Sequence, residues 1–545
     1  MRGPGSSGKP YPARVPGVLI AGTTSDAGKS FVATGLCRLL ARRGWRVAPF
    51  KAANMSLNAV AADDGGEMAS AQWVQCRAAR FPPLTVCNPI LYKSEGSVGV
   101  EVIVRGQVRW RTASWARTMP RIVPKLRREV RRALDELRTF DVFVVAEGAG
   151  SPAEVNLRKT DLSNLDVASA LGAPALLVAD LERGGTIAQI VGTLALLSAS
   201  ERRQIRGILF NRMAGNPRLL RTGIQFVERR TGIPVVGVLP YLPSDAGHLP
   251  AEDVLSLVRY PASARSEGAT SGDRLVRVGI LRLPHVSNFS DFSLLENSPS
   301  AEVTWVTDPG ALPDLDVLVL PGTRRTVDDL DWLRKSSWPA ALRRFLQRNL
   351  RIAGFCGGYQ ILGDRLVDPR GFEGRPGTTR GLQMLPLVTT FRAPKLVRAV
   401  RAMPELDNPW CPPGADPEGF EIRRGRTVVG YPARPLFRLH CGNDGPGSSE
   451  SDGAILPGGK VWGTAVHGLL NDSRACEGFL RWAAGRPNRC RKGPLVPIRA
   501  PTADPLETTI ERVADLLEEN LNMARLSAIL GTKLTRRSTG RRTRG

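Results

Sequence analysis

The sequence predicts an α/β protein of two domains, on three observations. The chain has 545 residues, more than one hydrophobic core supports. Short apolar runs alternate with helical stretches in both halves, the pattern of parallel strands with helices packed on their faces. Residues 259–275 break the pattern with a polar stretch poor in large apolar side chains, which reads as a linker.

The elements follow in order. Residues 1–16 are rich in Gly, Pro and Ser and lack the apolar segment of a secretory signal, so they are expected to form a disordered lead. "GVLIA", residues 17–21, suits a buried strand. A helix is expected over 31–43, with Val32, Leu36, Leu39 and Leu40 on one face and Gly44 at its C-terminal end. Further strands are expected in "RVAPF" (46–50), "DVFVVAEG" (141–148), "APALLVAD" (173–180), "RGILFN" (206–211) and "PVVGVLP" (234–240), giving a first domain over 17–258. The second, over 276–485, carries "VRVGILRLP" (276–284), "DVLVLPG" (316–322), "RIAGFCGG" (351–358) and "KVWGTAVHGLL" (460–470). A C-terminal helical segment spans 486–530, with one helix over about 505–526 placing Ile510, Val513, Leu517 and Leu521 at helical spacing. A basic tail, 531–545, is expected to be disordered.

Composition narrows the classes. Hydrophobic residues make up 42% and charged residues 23%, ordinary for a soluble globular chain. No apolar run approaches the roughly 18 residues a membrane helix needs. Eight cysteines with no C-x-x-C spacing and no signal point to a reducing cytoplasm, not to a zinc ribbon or disulfide framework. The formal net charge of +25 raises nucleic acid as a partner. The basic residues are spread along the chain, and only the tail is dense. A compositional bias is therefore the favoured reading, and a polyanionic small substrate the third.

Two segments carry chemistry. "GTTSDAGKS", Gly22 to Ser30, joins a strand to a helix N-terminus, where glycine-rich loops bind phosphate. Gly22 and Gly28 let backbone N–H groups face an anion, Lys29 can reach the outer phosphates, and Ser30 can ligate Mg²⁺. Five residues separate the two glycines, one more than in the usual G-x-x-x-x-G-K-[ST]. A plain turn before a core helix is the simpler alternative, and the Gly-Lys-Ser placement argues against it. The second segment is "AGFCGGYQILG", residues 353–363. A strand, then Cys356, then two glycines and a helical run lift a nucleophile clear of a sheet, and a helix N-terminus favours the thiolate. Of four histidines, only His467 follows an apolar segment in the same half, and it is the expected base. Backbone N–H groups of Gly357 and of the Gly322–Thr323 turn are the expected oxyanion donors. The alternative is a structural cysteine and a loop histidine.

These residues carry a resemblance. "GFCGGYQILG" with a later "HG" resembles the class I glutamine amidotransferase domain. "GTTSDAGKS" resembles the dethiobiotin synthetase-like ATP-binding fold, where the longer loop is normal. Their order, with "NMSLN" (54–58), "EGAGSPAEVNLR" (147–158), "VADLERGG" (178–185), "VSNFSDF" (286–292) and "LPGT" (320–323), resembles the cobyric acid synthase family of cobalamin-pathway amidotransferases over about residues 17–525. The resemblance implies a parallel-sheet, P-loop-type ATP-binding domain followed by a class I amidotransferase-like domain. It implies glutamine hydrolysis at Cys356, ATP-driven phosphorylation of a corrinoid carboxylate, and ammonia displacing the phosphate. The substrate would be adenosylcobyrinic acid a,c-diamide, amidated at its b, d, e and g carboxylates.

Roles follow by position. Gly22, Thr23, Gly28, Lys29 and Ser30 would hold ATP, and Asn211 would read adenine. Ser30, Glu67 and Glu147 would hold Mg²⁺, with a solvated helix-start glutamate as the alternative for Glu67. Asn54, Asn58 and Arg158 would touch substrate, with loop capping as their alternative. The chain departs from the family at Ala52 and Ala53, where Pro-Gln is usual, and at Arg423 in "GFEIR", where His is usual. Leu469 stands where ordinary class I triads have Glu, so a Cys–His dyad is expected. Two rivals remain: the sibling a,c-diamide synthesis, and an ATP switch of the partitioning type. The latter needs a lysine where Thr23 and Thr24 stand. Corrinoid and glutamine are the expected partners; nucleic acid and membrane are not expected, and the oligomeric state stays open.

Overall fold

The computed structural model describes residues 17–94, 99–182, 184–243, 249, 275–348, 350–441, 449–485 and 504–531. The expected lead, nearly all of the linker, the tail beyond Gly531, and Arg183, His248 and Cys490 lie outside the described residues.

The first domain is built on a six-stranded parallel sheet. Its spatial order is Val235–Pro240, Ile205–Met213, Ala175–Asp180, Gly17–Gly22, Phe143–Glu147 and Val47–Phe50. Every expected strand of this half is present. The runs are apolar along their length because helices cover both faces. The first helix is Lys29–Arg42, and Gly44 follows its end in the left-handed region at φ 80°. Gly22, Glu147 and Asp180 all close strands at the same edge, the C-terminal edge where open α/β sheets bind ligands.

The second domain repeats the logic. Its sheet runs Ala301–Val306, Val276–Leu281, Val317–Leu320, Arg351–Phe355 and Val461–Thr464, all parallel, with Ala454–Ile455 added antiparallel. The "LPGT" turn, Cys356 and His467 each follow one of three adjacent strands of this sheet.

Two features went unread in the sequence. A long antiparallel ribbon, Leu387–Pro404 with Glu418–Val429, extends from the second domain. A small sheet of Ala53–Met55, Ile90–Ser94, Val100–Val104 and Gln107–Thr112 extends from the first. They meet: Ile422 packs in one apolar cluster with Ala59, Leu91 and Ile103.

The C-terminal helix differs from expectation. It is two helices, Pro505–Asn520 and Met523–Leu530. Leu521 is extended between them, and Asn522 caps the second through Arg525 N at 3.0 Å. Asn522 N also donates to Val236 O at 2.7 Å, so the break ties the segment to the edge strand of the first sheet. Ile510, Val513 and Leu517 are fully buried against the first domain, in one cluster with Val32 and Leu36. The chain thus returns to the first domain. No helix among the described residues is long and apolar enough to cross a membrane.

Candidate active sites

The phosphate loop is set by its neighbours. Gly28 caps the Lys29–Arg42 helix at φ 95°, and a Cβ there would collide with the Asn211 side-chain amide. Asn211 is buried and donates to Ala27 O at 3.0 Å. It braces the loop through this bond. Lys29 Nζ arcs back to Thr24 O at 2.9 Å, and a Cβ on Gly22 would stand 3.0 Å from that ammonium. Thr23 Oγ1 donates to Gln189 Oε1 at 3.3 Å.

Ser30 and Glu147 come together. Ser30 Oγ donates to Glu147 Oε1 at 2.7 Å, and Lys51 Nζ reaches the same oxygen at 2.8 Å. Gln75 Nε2 donates to Oε2 at 2.6 Å. A hydroxyl and a buried carboxylate side by side at a helix N-terminus are hard oxygen donors that suit Mg²⁺. A cation, the Lys51 ammonium, already stands against them.

Glu67, also expected to hold Mg²⁺, lies apart from this group, paired with two lysines. It is 1% exposed, so it is not a solvated helix-start glutamate. Lys93 Nζ and Lys395 Nζ, one from each domain, each sit 2.5 Å from one of its oxygens. Burial would raise this carboxyl, but the two ammonium groups outweigh it and hold it at about 2.

The expected substrate residues have the following surroundings. Asn54 is buried and donates to Gln72 Oε1 at 2.8 Å. Asn58 is fully buried at the domain junction, its Oδ1 3.4 Å from both N and Oγ of Ser290. Arg158 is partly exposed and pairs with Glu201. Both asparagines are buried.

The thiol centre is more complete than expected. Cys356 takes φ 46°, ψ −106° between its strand and the short helix Gly357–Ile361. Such backbone costs about 1–3 kcal/mol for a residue with a Cβ. Its N–H donates to Thr464 O at 2.8 Å, and its carbonyl accepts from Gln360 N at 3.1 Å. His467 lines the same cleft as Cys356. Its Nδ1 lies 2.6 Å from Asp291 Oδ2, and Asp291 Oδ1 accepts Gly468 N at 3.0 Å. The expected dyad is therefore corrected to a three-residue chain. Burial would depress the imidazole, but the charges of Asp291 and Cys356 and their hydrogen bonds lift it to about 10. Phe420 stacks on the ring at 5.3 Å and 20°.

The oxyanion turn is adjacent. A Cβ on Gly322 would stand 2.9 Å from His467 Cε1, and one on Gly357 would stand 2.9 Å from Thr323 N. Only glycines admit this approach. The other His–Asp pair, His285 with Asp329 at 2.7 Å, braces the same turn, since Asp329 also accepts the Thr323 hydroxyl. Arg423, at the family's histidine position, is turned onto Glu421 Oε1 at 2.6 Å and Gly425 O at 2.5 Å. Lys93, Glu101 and Arg111 of the first domain line the same cleft as Cys356 and His467.

Asp291 was missed because it lies 176 residues before His467. The available signal was an acidic residue between Phe289 and Phe292 in the "VSNFSDF" stretch, both of which are buried.

Comparison with known proteins matches both halves. Residues 18–248 match the CobQ/CobB/MinD/ParA nucleotide binding domain, and residues 277–475 the CobB/CobQ-like glutamine amidotransferase domain. A cobyric acid synthase of Pelotomaculum thermopropionicum is 38% identical over 526 residues, covering 94% of this chain and 96% of the relative. Among solved structures, a glutamine amidotransferase aligns at 16% identity and TM-score 0.27, over 38% of this chain and 98% of its own. PurLQS from Thermotoga maritima aligns at 15% identity and TM-score 0.29, over 45% of this chain and 100% of its own.

Proposed function

The chain belongs to the cobyric acid synthase family, and from that premise we propose how its two centres divide the work. The protein is a glutamine-hydrolysing, ATP-dependent carbon–nitrogen ligase of cobalamin biosynthesis. Its reaction is amidation of the b, d, e and g carboxylates of adenosylcobyrinic acid a,c-diamide. The domains are taken as residues 17–258 and 276–485. The observation that carries the assignment of roles is the pairing in one chain of the Cys356–His467–Asp291 centre with the Ser30–Glu147 pair beneath a phosphate loop.

In the second domain, the Cys356 sulfur attacks the side-chain carbonyl carbon of glutamine. The oxygen gathers charge against the backbone N–H groups of Gly357 and the Gly322–Thr323 turn. His467 hands its proton to the leaving nitrogen, so the C–N bond breaks and ammonia departs. His467 then takes a proton from the water that cleaves the thioester, releasing glutamate. Asp291 holds the ring in one tautomer and balances its charge. In the first domain, the loop N–H groups and Lys29 bind the phosphates of ATP. Ser30 and Glu147 would hold Mg²⁺, which when bound offsets phosphate charge. A carboxylate does not react with ammonia until it is phosphorylated, so the first centre must act before ammonia from either source can be used.

The test is direct. Purified protein is given ATP, Mg²⁺, glutamine and adenosylcobyrinic acid a,c-diamide, and product mass is followed. Each acid converted to an amide lowers the mass by about one unit, as O–H gives way to N–H₂. Four successive steps are expected. Two steps on cobyrinic acid itself, with none here, would move the chain to the sibling reaction.

A further inference from the structure

The cleft around Cys356 is not walled by the second domain alone. Glu101 belongs to the strand Val100–Val104 of the first domain, and it is 1% exposed. Its Oε2 accepts from Arg324 Nη2 at 2.7 Å, and its Oε1 from Arg111 Nε at 2.8 Å. Arg424 Nη2 approaches the same Oε1 at 3.4 Å. Arg324 and Arg424 come from the second domain. Burial would raise the Glu101 carboxyl, but the charges of Lys395, Arg324 and Arg111 hold it far below the usual range. One carboxylate thus crosses the domain boundary to anchor two guanidinium groups.

Arg324 directly follows Thr323. Its own N–H donates to His285 O at 3.1 Å, while Ser287 N donates to Gly322 O at 2.9 Å. The Gly322–Thr323 turn is therefore held on its own domain by backbone bonds, and from across the boundary by the Arg324 side chain. Oxyanion donors work only within about 3 Å of the oxygen they serve, and the turn already touches the Gly357 backbone with no room to spare.

We propose that Glu101 is a positioning residue for glutamine hydrolysis, acting through Arg324 to hold the Gly322–Thr323 turn in register with Cys356. The inference rests on the reading of Cys356 as the glutamine-hydrolysing centre. Removing the charge takes from Arg111, Arg324 and Arg424 the carboxylate they share, and the three like charges then repel, which loosens the Arg324 side chain. The consequence is that ammonia is released at full rate only when the amidating domain is docked to receive it.

The full-length chain tests this with Glu101→Gln, Arg324→Met and the double variant. Three quantities are read: steady-state glutamine hydrolysis, amidation driven by ammonium salts, and thermal melting. The expected result in Glu101→Gln is a fall in kcat for glutamine of about ten- to a hundredfold, short of the 10²–10³ that deleting an oxyanion donor costs. KM for glutamine and ammonium-driven amidation stay within about twofold. Arg324→Met gives the same pattern, and the double variant is no worse than either single one, because both remove one contact. Glu101→Asp restores part of the rate. Unchanged glutamine hydrolysis in Glu101→Gln overturns the proposal. So does a parallel loss of ammonium-driven amidation, which would mark a merely structural residue, and so do additive losses in the double variant. If instead the wild-type chain amidates with ammonium but never hydrolyses glutamine, the glutaminase reading itself fails, and the inference with it.

Discussion

At the scale of single residues, the third member of the thiol centre is the informative one. The position that ordinary class I triads give to Glu is Leu469, fully buried here. The carboxylate comes instead from Asp291, in the 3₁₀ helix Phe289–Phe292 far back in the chain, and meets His467 Nδ1 at 2.6 Å. Roles in such centres are fixed by geometry and not by chain order. Asp291→Asn keeps the shape and removes the charge. Glutamine-driven kcat is expected to fall by about 10⁴, the loss seen when an orienting carboxylate is neutralised, with ammonium-driven amidation intact. The pH profile should move as well. His467 is lifted from 6.5 to about 10, so its imidazolium contributes stability that is fully present below 6.5 and lost as pH rises through about 10. Without Asp291 the alkaline limb of glutamine hydrolysis shifts down toward neutrality. An unmoved limb would show that Asp291 does not set the charge of His467. Lys29→Ala makes the complementary case. It should abolish amidation with either nitrogen source while glutamine hydrolysis persists. Ammonium-driven amidation that survives would remove the loop from carboxylate activation.

At the scale of elements, what could be read in advance was what local physics decides. The parallel strands are continuous apolar runs, and the loops at their C-terminal ends follow from strand-to-helix junctions. So Lys29, Ser30, Cys356 and His467 were singled out by pattern, and Glu147 through the resemblance. The partners of Glu67 and Asn58 were not legible, because Lys395 and Ser290 lie across the domain junction and no local pattern reports a contact 328 or 232 residues away. The ribbon of Leu387–Pro404 and Glu418–Val429 was invisible because its exposed stretches carry arginines without clean alternation. The break at Leu521 was hidden because Leu517 and Leu521 keep helical spacing across it. The loop and its brace give a testable pair of elements. Gly28→Ala places a Cβ on the Asn211 amide and forces φ 95° on a residue that resists it. ATP-dependent amidation should be lost, while Gly65→Ala, also at positive φ but with open space around it, costs only about 1–2 kcal/mol of stability. Equal activity in the two variants would show that loop shape does not matter.

At the scale of the whole molecule, the chain closes on itself. The C-terminal helix Pro505–Asn520 lies along the helix that the phosphate loop caps, with Leu517 against Gly35. Arg38, only 3% exposed, is paired with Glu507 at 2.7 Å and Glu511 at 2.6 Å. A single Cβ on Gly35 would stand 2.9 Å from Leu517 Cδ2, so the two helices approach as closely as side chains allow. Ending the chain at residue 503 would expose the partners of Ile510, Val513 and Leu517 and take both carboxylates from the buried Arg38 guanidinium, leaving it only the carbonyls of Arg77 and Ala78. Each fully buried aliphatic side chain contributes about 1.5–3 kcal/mol, so the three together approach the 5–15 kcal/mol that separates a folded domain from its unfolded state. The truncated chain should therefore lose the low-temperature part of its melting transition and all ATP-dependent amidation, with ammonium or glutamine. The second domain keeps its own sheet and its Cys356–His467–Asp291 chain, so slow glutamine hydrolysis should persist. Its rate should resemble that of Glu101→Gln, because the first domain no longer holds Arg324. Full amidation by the truncated chain would show that the helix is an ornament on the first domain. Wild-type glutamine hydrolysis beside lost amidation would show that the two centres run independently of domain docking.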